Sequence, residues 1–215
     1  LQTGTVTPYT TVGDTNNFYS NGFDKIGDSL FAFSSDKVFE IELAGTSATV
    51  SEVSIDKSGL ENPSAYLDLE SLIAFGGDLY LRDMYGVYLM RLEVGANETT
   101  GILAKIEPNF TAASYYNTGL EAPPDMKYMT TDGTALYIAD GSNNLIRKID
   151  PLTSNITTLA GKLENFADGT GENAEFRSFS KIAMNGTDIY VIDNNRIRVV
   201  DSVTGEVSTL PTTGA

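Results

Sequence analysis

The sequence predicts an all-β fold, a β-propeller built from four-stranded antiparallel blades. A sequence pattern of three short apolar segments separated by turn residues recurs four times in the 215 residues. The recurrences are spaced by about 50 residues, a period typical of propeller blades. A further short apolar segment precedes each copy of the pattern, which brings each repeat to four strands. A β-sandwich is the alternative, and it is disfavoured because the strands of a sandwich do not repeat one sequence pattern.

The second strand of each repeat is the easiest to recognise. These strands are Leu30–Phe33, Leu79–Asp83, Leu136–Asp140 and Ile189–Asp193. A Leu-Tyr or Ile-Tyr pair opens three of them, which predicts that Tyr80, Tyr137 and Tyr190 occupy equivalent positions. From the alternation along the strands, Ile138 and Val191 are expected to face the interior between neighbouring blades.

The four strands of each repeat give approximate blade boundaries in a single propeller domain or segment. The predicted blades cover residues 22–54, 69–106, 122–161 and 178–210. Residues 4–13 read as one surplus outer strand, belonging to a blade whose other strands are not in this sequence. Its open edge would be a template for pairing. We therefore expect a larger ring or chain of blades, completed by further propeller sequence or by head-to-tail copies that form a filament.

The third repeat carries the most specific motifs. A strand ending in Ala139-Asp140 leads through Asn143-Asn144 to a strand with Ile146-Arg147, and the repeat ends with Gly161 and an acidic, glycine-rich connector. The order of these motifs and the residues in them resemble the NHL repeat family of β-propellers. The resemblance is close over residues 122–214 and holds only in pattern over residues 1–110, where Ser34-Ser35-Asp36 and Met84-Tyr85-Gly86 replace the Asn-Asn turn. It implies a propeller fold.

The charge and hydrophobicity of the sequence restrict the classes of partner that the chain is expected to bind. The chain has 14 basic and 29 acidic residues and a formal net charge of -15. A negative surface disfavours nucleic acid and anionic lipid as partners. No apolar run approaches the roughly 18 residues needed to cross a bilayer, so no membrane insertion is expected in this segment.

Catalysis is not expected from this composition. The sequence contains no histidine and no cysteine. Zinc and copper sites therefore lose their usual ligands, and serine and cysteine hydrolases lose their usual base. The chain is predicted to be non-catalytic.

Long connectors between the blades are the predicted interaction face. They lie at about residues 13–24, 55–70, 107–125 and 161–179, and they carry several aromatic residues, Phe166 among them. Aromatic side chains on protruding loops suit protein or sugar binding. The alternative is that they pack between blades. The interaction candidates are Tyr66, Tyr85, Phe110, Tyr115 and Tyr116.

Four Asn-X-Thr sequons make the chain a candidate glycoprotein. They lie at Asn97, Asn109, Asn155 and Asn185. Asn97 and Asn155 fall at predicted hairpin tips, where glycans do not block strand pairing, so these two are expected to be the most accessible. At Asn185 the alternative is a simple Asn-Gly hairpin turn.

Two acidic stretches invite a calcium interpretation. They are Asp140–Asn143 and Asp168–Glu172, and neither has EF-hand spacing. Asx turns that satisfy their own backbone explain both stretches better. No cofactor is predicted, with calcium as the alternative.

These observations together predict an extracellular or cell-surface structural and interaction module, a non-catalytic glycoprotein that self-assembles into filaments. Its expected partners are proteins, including copies of itself, and glycans. The alternatives are a glycan-binding adhesin and a calcium-dependent propeller enzyme resembling esterases or lactonases.

Overall fold

The computed structural model describes residues 10–12, 22–34, 36–44, 47–57, 69–83, 89–94, 100–106, 128–153, 155–162 and 165–211. The chain divides into two compact units, one of Leu1–Leu81 with Met90–Lys105 and the other of Arg82–Leu89 with Ile106–Ala215. The described residues form eighteen strands and one turn of 3-10 helix at Gly171–Asn173. None of the described segments is a helix long and apolar enough to span a membrane. The predicted all-β class is confirmed.

The first two blades share one sheet. Strands β2 to β5 form the first blade and β6 to β9 the second: Gly22–Ile26, Ser29–Ser34, Lys37–Ala44, Ser47–Asp56, Leu69–Phe75, Asp78–Asp83, Leu89–Val94 and Thr100–Ile106. Strands that follow one another within a blade are hydrogen-bonded. The outer strands β5 and β9 also pair with each other in parallel, from Ser54 with Thr100 to Asp56 with Ile102. The two blades are therefore joined along their outer edges.

The described part of the predicted surplus strand lies beside the outer strand of the first blade. It is β1 (Thr10–Val12), which pairs in parallel with Ser47–Thr49 of β5. That residues 4–13 belong to a further blade stays a prediction. In the described part, β5 is ten residues long and pairs with β9 only near its end, so its beginning offers backbone groups to β1.

The third and fourth blades lie in the second unit. The third consists of β10 to β13 and the fourth of β15 to β18: Tyr128–Thr131, Leu136–Asp140, Leu145–Asp150, Asn155–Ala160, Phe179–Asn185, Asp188–Asp193, Arg196–Asp201 and Glu206–Thr209. All these neighbours pair in antiparallel fashion. A short strand from the connector, β14 (Gly169–Thr170), adds to the outer edge of β18. The predicted blades of four antiparallel strands are thus confirmed.

The core of the second unit lies between its two blades. The third blade contributes Tyr137, Ala139, Ile146 and Ala160; the fourth contributes Ile189, Val191, Val200 and Val207; and Phe176 of the connector joins them. Val191 belongs to this core and is fully buried, as predicted. Ile138 is fully buried too, on the other face of β11. Burial of the core side chains between the two sheets is the main force that holds the two blades together.

The turn between β10 and β11 in the third blade is organised by Asp132. Its Oδ1 accepts hydrogen bonds from the backbone N–H groups of Thr134 and Ala135, and its Oδ2 accepts one of 2.7 Å from the Tyr137 hydroxyl. Burial by itself would raise the pKa of Asp132, but these hydrogen bonds outweigh it and lower the pKa from 3.8 to about 2.

This turn predicts a specific loss of stability in acid. Because the pKa of Asp132 is lower in the folded than in the unfolded state, the unfolded chain binds the proton first. The stabilisation is complete above the unfolded pKa of 3.8 and disappears as the pH falls towards about 2. We expect Asp132→Asn to show a shallower decline of the free energy of unfolding than the wild type between these values. An equally steep decline of the free energy of unfolding with falling pH in the two proteins would contradict the prediction.

Candidate functional site

One end of the second unit gathers the connector and two turns, and we call it the connector end. It comprises the β11–β12 turn at 141–144, the β16–β17 turn at 194–195 and the described connector residues of 161–178. The Asn194 N–H donates to the Ser178 carbonyl over 2.8 Å. The N–H groups of Arg177 and Ser178 each donate to Oδ1 of Asp193 over 2.9 Å. The connector is therefore fixed to the fourth blade.

Asparagines make both turns possible. Asn144 has φ of 55° and Asn194 has φ of 57°, the two described non-glycine residues with positive φ. Asparagine tolerates this left-handed conformation better than most residues. In the third and fourth blades, the Asn-Asn motif of the sequence is therefore explained by a turn whose backbone needs a left-handed residue.

A buried arginine lies beneath the connector end. Arg198 is fully buried, and its Nη1 is 2.9 Å from Oδ2 of Asp193. Its Nη2 lies 3.0 Å from Oδ1 of Asp168 and donates over 2.7 Å to the Ala167 carbonyl. One guanidinium thus links the fourth blade to the connector, in the fork geometry that arginine is suited to provide.

The third blade contains an equivalent pair. Nε of Arg147 is 3.3 Å from Oδ2 of Asp140, and the Asn143 amide donates to both Asp140 oxygens over 3.0 Å. Nη1 of Arg147 donates to the Thr158 hydroxyl over 2.7 Å. In the sequence, Asp140 and Asn143 were recognised as a candidate calcium stretch and Arg147 as part of the repeat motif, but not as partners of one another. The recurrence of Asp before a turn and Arg after it was the signal that could have revealed a buried ion pair.

Asp168 has its oxygens engaged by protein groups. Its Oδ1 accepts from the Thr209 hydroxyl over 2.7 Å as well as from Arg198, and its Oδ2 accepts from the Thr209 N–H. Burial acts to raise the pKa of Asp168, but Thr209 and the Arg198 charge outweigh burial and lower it. The expected Asx turn at Asp168 is wrong, because both partners lie far along the chain. Within the described ranges no group of three or more acidic residues could hold a metal ion.

Two arginines flank one aromatic ring on the outside of the connector end. The guanidinium carbon of Arg196 is 4.2 Å from the centroid of the Phe166 ring, and that of Arg177 is 5.8 Å from it. Both arginines are exposed and the ring is half-buried. Neither arginine forms an ion pair with any residue that the structure describes. We call these three residues the arginine–phenylalanine patch.

The structure describes only some of the site residues predicted from the sequence. Tyr66, Tyr85, Phe110, Tyr115, Tyr116, Asn97 and Asn109 lie outside the described residues. Asn155 and Asn185 are exposed, and each pairs across a hairpin, Asn155 with Asp150 and Asn185 with Asp188. These hairpins lie at the ends of the strands opposite the connector end.

Comparison with known proteins covers part of the sequence. The chain is 39% identical over 88 residues to human NHL repeat-containing protein 2, a match to 35% of this chain and 11% of the human protein. It therefore spans about a tenth of the length of that curated relative. No protein-family model matches the sequence.

Comparison of structures covers most of the chain. A catalytically inactive variant of virginiamycin B lyase from Staphylococcus aureus, solved with quinupristin, matches with a TM-score of 0.58 and 17% identity, over 90% of this chain and 55% of the lyase. AztD from Citrobacter koseri matches with a TM-score of 0.54 and 13% identity, over 87% of this chain and 45% of AztD. At this identity the likeness concerns the fold alone. The sequence match supports the resemblance to NHL repeats over about a third of the chain, and the structural matches confirm the propeller-like fold.

Proposed function

We propose that this protein is a non-catalytic interaction module that binds acidic segments of partner proteins at its connector end. The arginine–phenylalanine patch carries this proposal. It offers two exposed cations and one aromatic surface on a chain whose formal net charge is -15. Arginine and aromatic residues are the types enriched in protein interfaces.

The chemistry of the patch favours carboxylates. A guanidinium can pair with a carboxylate through two parallel hydrogen bonds, and Phe166 supplies apolar area beside it. The ring also restrains both arginines before binding, which reduces the entropy lost on association. Because the rest of the molecule is acidic, it repels an acidic segment elsewhere and directs it to the patch.

A non-catalytic role agrees with how the charged groups at this end are used. Asp140, Asp193 and Asp168 are engaged by buried arginines. The sequence holds no histidine or cysteine that could act as a base or nucleophile. The lyase activity named for the Staphylococcus aureus structure belongs to that protein, and 17% identity does not carry it to this chain.

Binding to a synthetic array of acidic, neutral and basic peptides tests the proposal. We expect selective binding of acidic peptides that weakens with salt, and a loss of at least about tenfold on replacing Arg177 and Arg196 together by alanine. Phe166→Ala should also weaken binding. Lys25→Ala removes one exposed charge from the first unit and serves as the control. Equal binding by the double variant and the control would contradict the proposal, and selective binding of glycans would favour an adhesin.

An extracellular or cell-surface location is part of the proposal and rests on exposed sequons. Asn155 begins β13 at a hairpin and is exposed, so an attached glycan would not interrupt strand pairing. Expression through a eukaryotic secretory pathway should therefore add one glycan mass at Asn155 that Asn155→Gln removes. A secreted, folded product without sugar at this residue would count against the proposal.

A further inference from the structure

The two faces of the fourth blade differ in burial. One face holds Ile189, Val191 and Val200, which are fully buried against the third blade. Strand alternation places Tyr190, Ile192, Ile197, Val199 and Leu210 on the opposite face, which we call the outer face. Ile192 is 39% exposed and its cross-strand partner Ile197 is 43% exposed. Leu210, hydrogen-bonded to Ile197 through the backbone, is exposed too.

The third blade indicates what covers a face of this kind. Its residues equivalent to Tyr190, Ile192 and Ile197 in the repeat are Tyr137, Ala139 and Ile146. All three are at most 1% exposed, because the fourth blade packs on them. The outer face thus repeats, on the next blade, a surface that in the third blade binds another blade. A contiguous apolar face of this type is typical of a protein–protein contact.

The first blade presents the complementary kind of surface. Phe23 pairs with Ala32 in β3 and is 72% exposed. On its side of the sheet lie the half-buried Leu30, Ile41 and Val50, and these four apolar residues are here called the leading face. The neighbouring Asp24 points to the other side, where its Oδ2 accepts a hydrogen bond of 2.8 Å from the Ala74 N–H of the second blade. The leading face is therefore turned away from the second blade.

We propose that two copies of this chain associate head to tail, with the outer face of one packed on the leading face of the other. The contact repeats the blade-on-blade packing seen between the third and fourth blades. Such a contact is heterologous, so it closes into a ring or continues as a filament.

Sedimentation of the purified full chain over about a hundredfold concentration range tests this surface. We expect concentration-dependent association in the wild type. Ile192→Asp combined with Ile197→Asp should weaken it by at least about a hundredfold, because a charge would be buried in an apolar contact. Phe23→Asp should do the same from the other side. Leu152→Asp, at a side chain 90% exposed in the β12–β13 turn, is the matched control and should associate like the wild type.

Mixing the two association-deficient proteins is the decisive step. The Ile192/Ile197 variant keeps its leading face and the Phe23 variant keeps its outer face, so the mixture should form a heterodimer although neither protein self-associates. Circular dichroism should show that both remain folded. A wild type that stays monomeric throughout would overturn the proposal and leave a further blade of the same polypeptide as the occupant of the outer face. Association of the Phe23 variant with itself would also overturn it, since that result requires two outer faces in contact.

Discussion

Replacing Asp193 by alanine is expected to lower the free energy of unfolding of the second unit by about 3–5 kcal/mol. The substitution leaves the Arg198 guanidinium fully buried without its partner at 2.9 Å. It also removes the acceptor for the N–H groups of Arg177 and Ser178, which fix the connector to the fourth blade. Asp168 alone cannot compensate, because it is exposed and shared with Thr209.

Amide hydrogen exchange of β15 to β17 is the appropriate measurement, because it reports the opening of these strands themselves. Asp188→Ala, at the other end of the same strand, is the matched control and should cost little. A second substitution, Arg198→Met, should recover part of the loss, since replacing a buried pair by apolar groups is often nearly neutral. Additive costs for Asp193→Ala and Arg198→Met would show that the two side chains do not act as a pair.

The strands of this protein could be predicted from sequence because each carries its own pattern. Alternating apolar residues and turn signals act within about ten residues. The second strands therefore appear where the sequence placed them, and Ile138 and Val191 are buried as predicted. The pairing of β1 and β9 with β5 could not be predicted, because backbone groups at a strand edge pair without a side-chain signature.

At the connector end too, some features could be predicted from the sequence and others could not. Its Asn-Asn turns were readable because a left-handed residue must be of a few types. The partners of Arg198 were not readable, since Asp168 and Ala167 lie about thirty residues away and meet it only after the connector folds back. Phe166 was recognised as a connector aromatic. Its flanking by Arg177 and Arg196 depends on the fold of the connector and on its position beside β17, so no local pattern contains it.

The second large loss of stability is expected on substitution of Gly161, at the junction between the third and fourth blades. This residue has φ of 103°, and its N–H donates over 3.1 Å to the carbonyl of Gly171 in the connector. A Cβ there would lie 2.3 Å from the backbone oxygen of Asn144, and 3.1 Å from the Phe176 ring. Neither the turn nor the fully buried ring can give way without disturbing the core.

Gly161→Ala is therefore expected to destabilise the second unit by about 2–5 kcal/mol, from backbone strain together with overpacking. Gly186→Ala is the control: it also has positive φ, at 64°, but a Cβ there meets no atom within 4 Å. The control should cost only the strain, about 1–2 kcal/mol. The difference between the two variants, measured by hydrogen exchange, reports the close approach of connector and turn together with the greater backbone strain at φ of 103°. Equal costs would mean that the junction yields to the added methyl group and that Gly161 is required for its conformation alone.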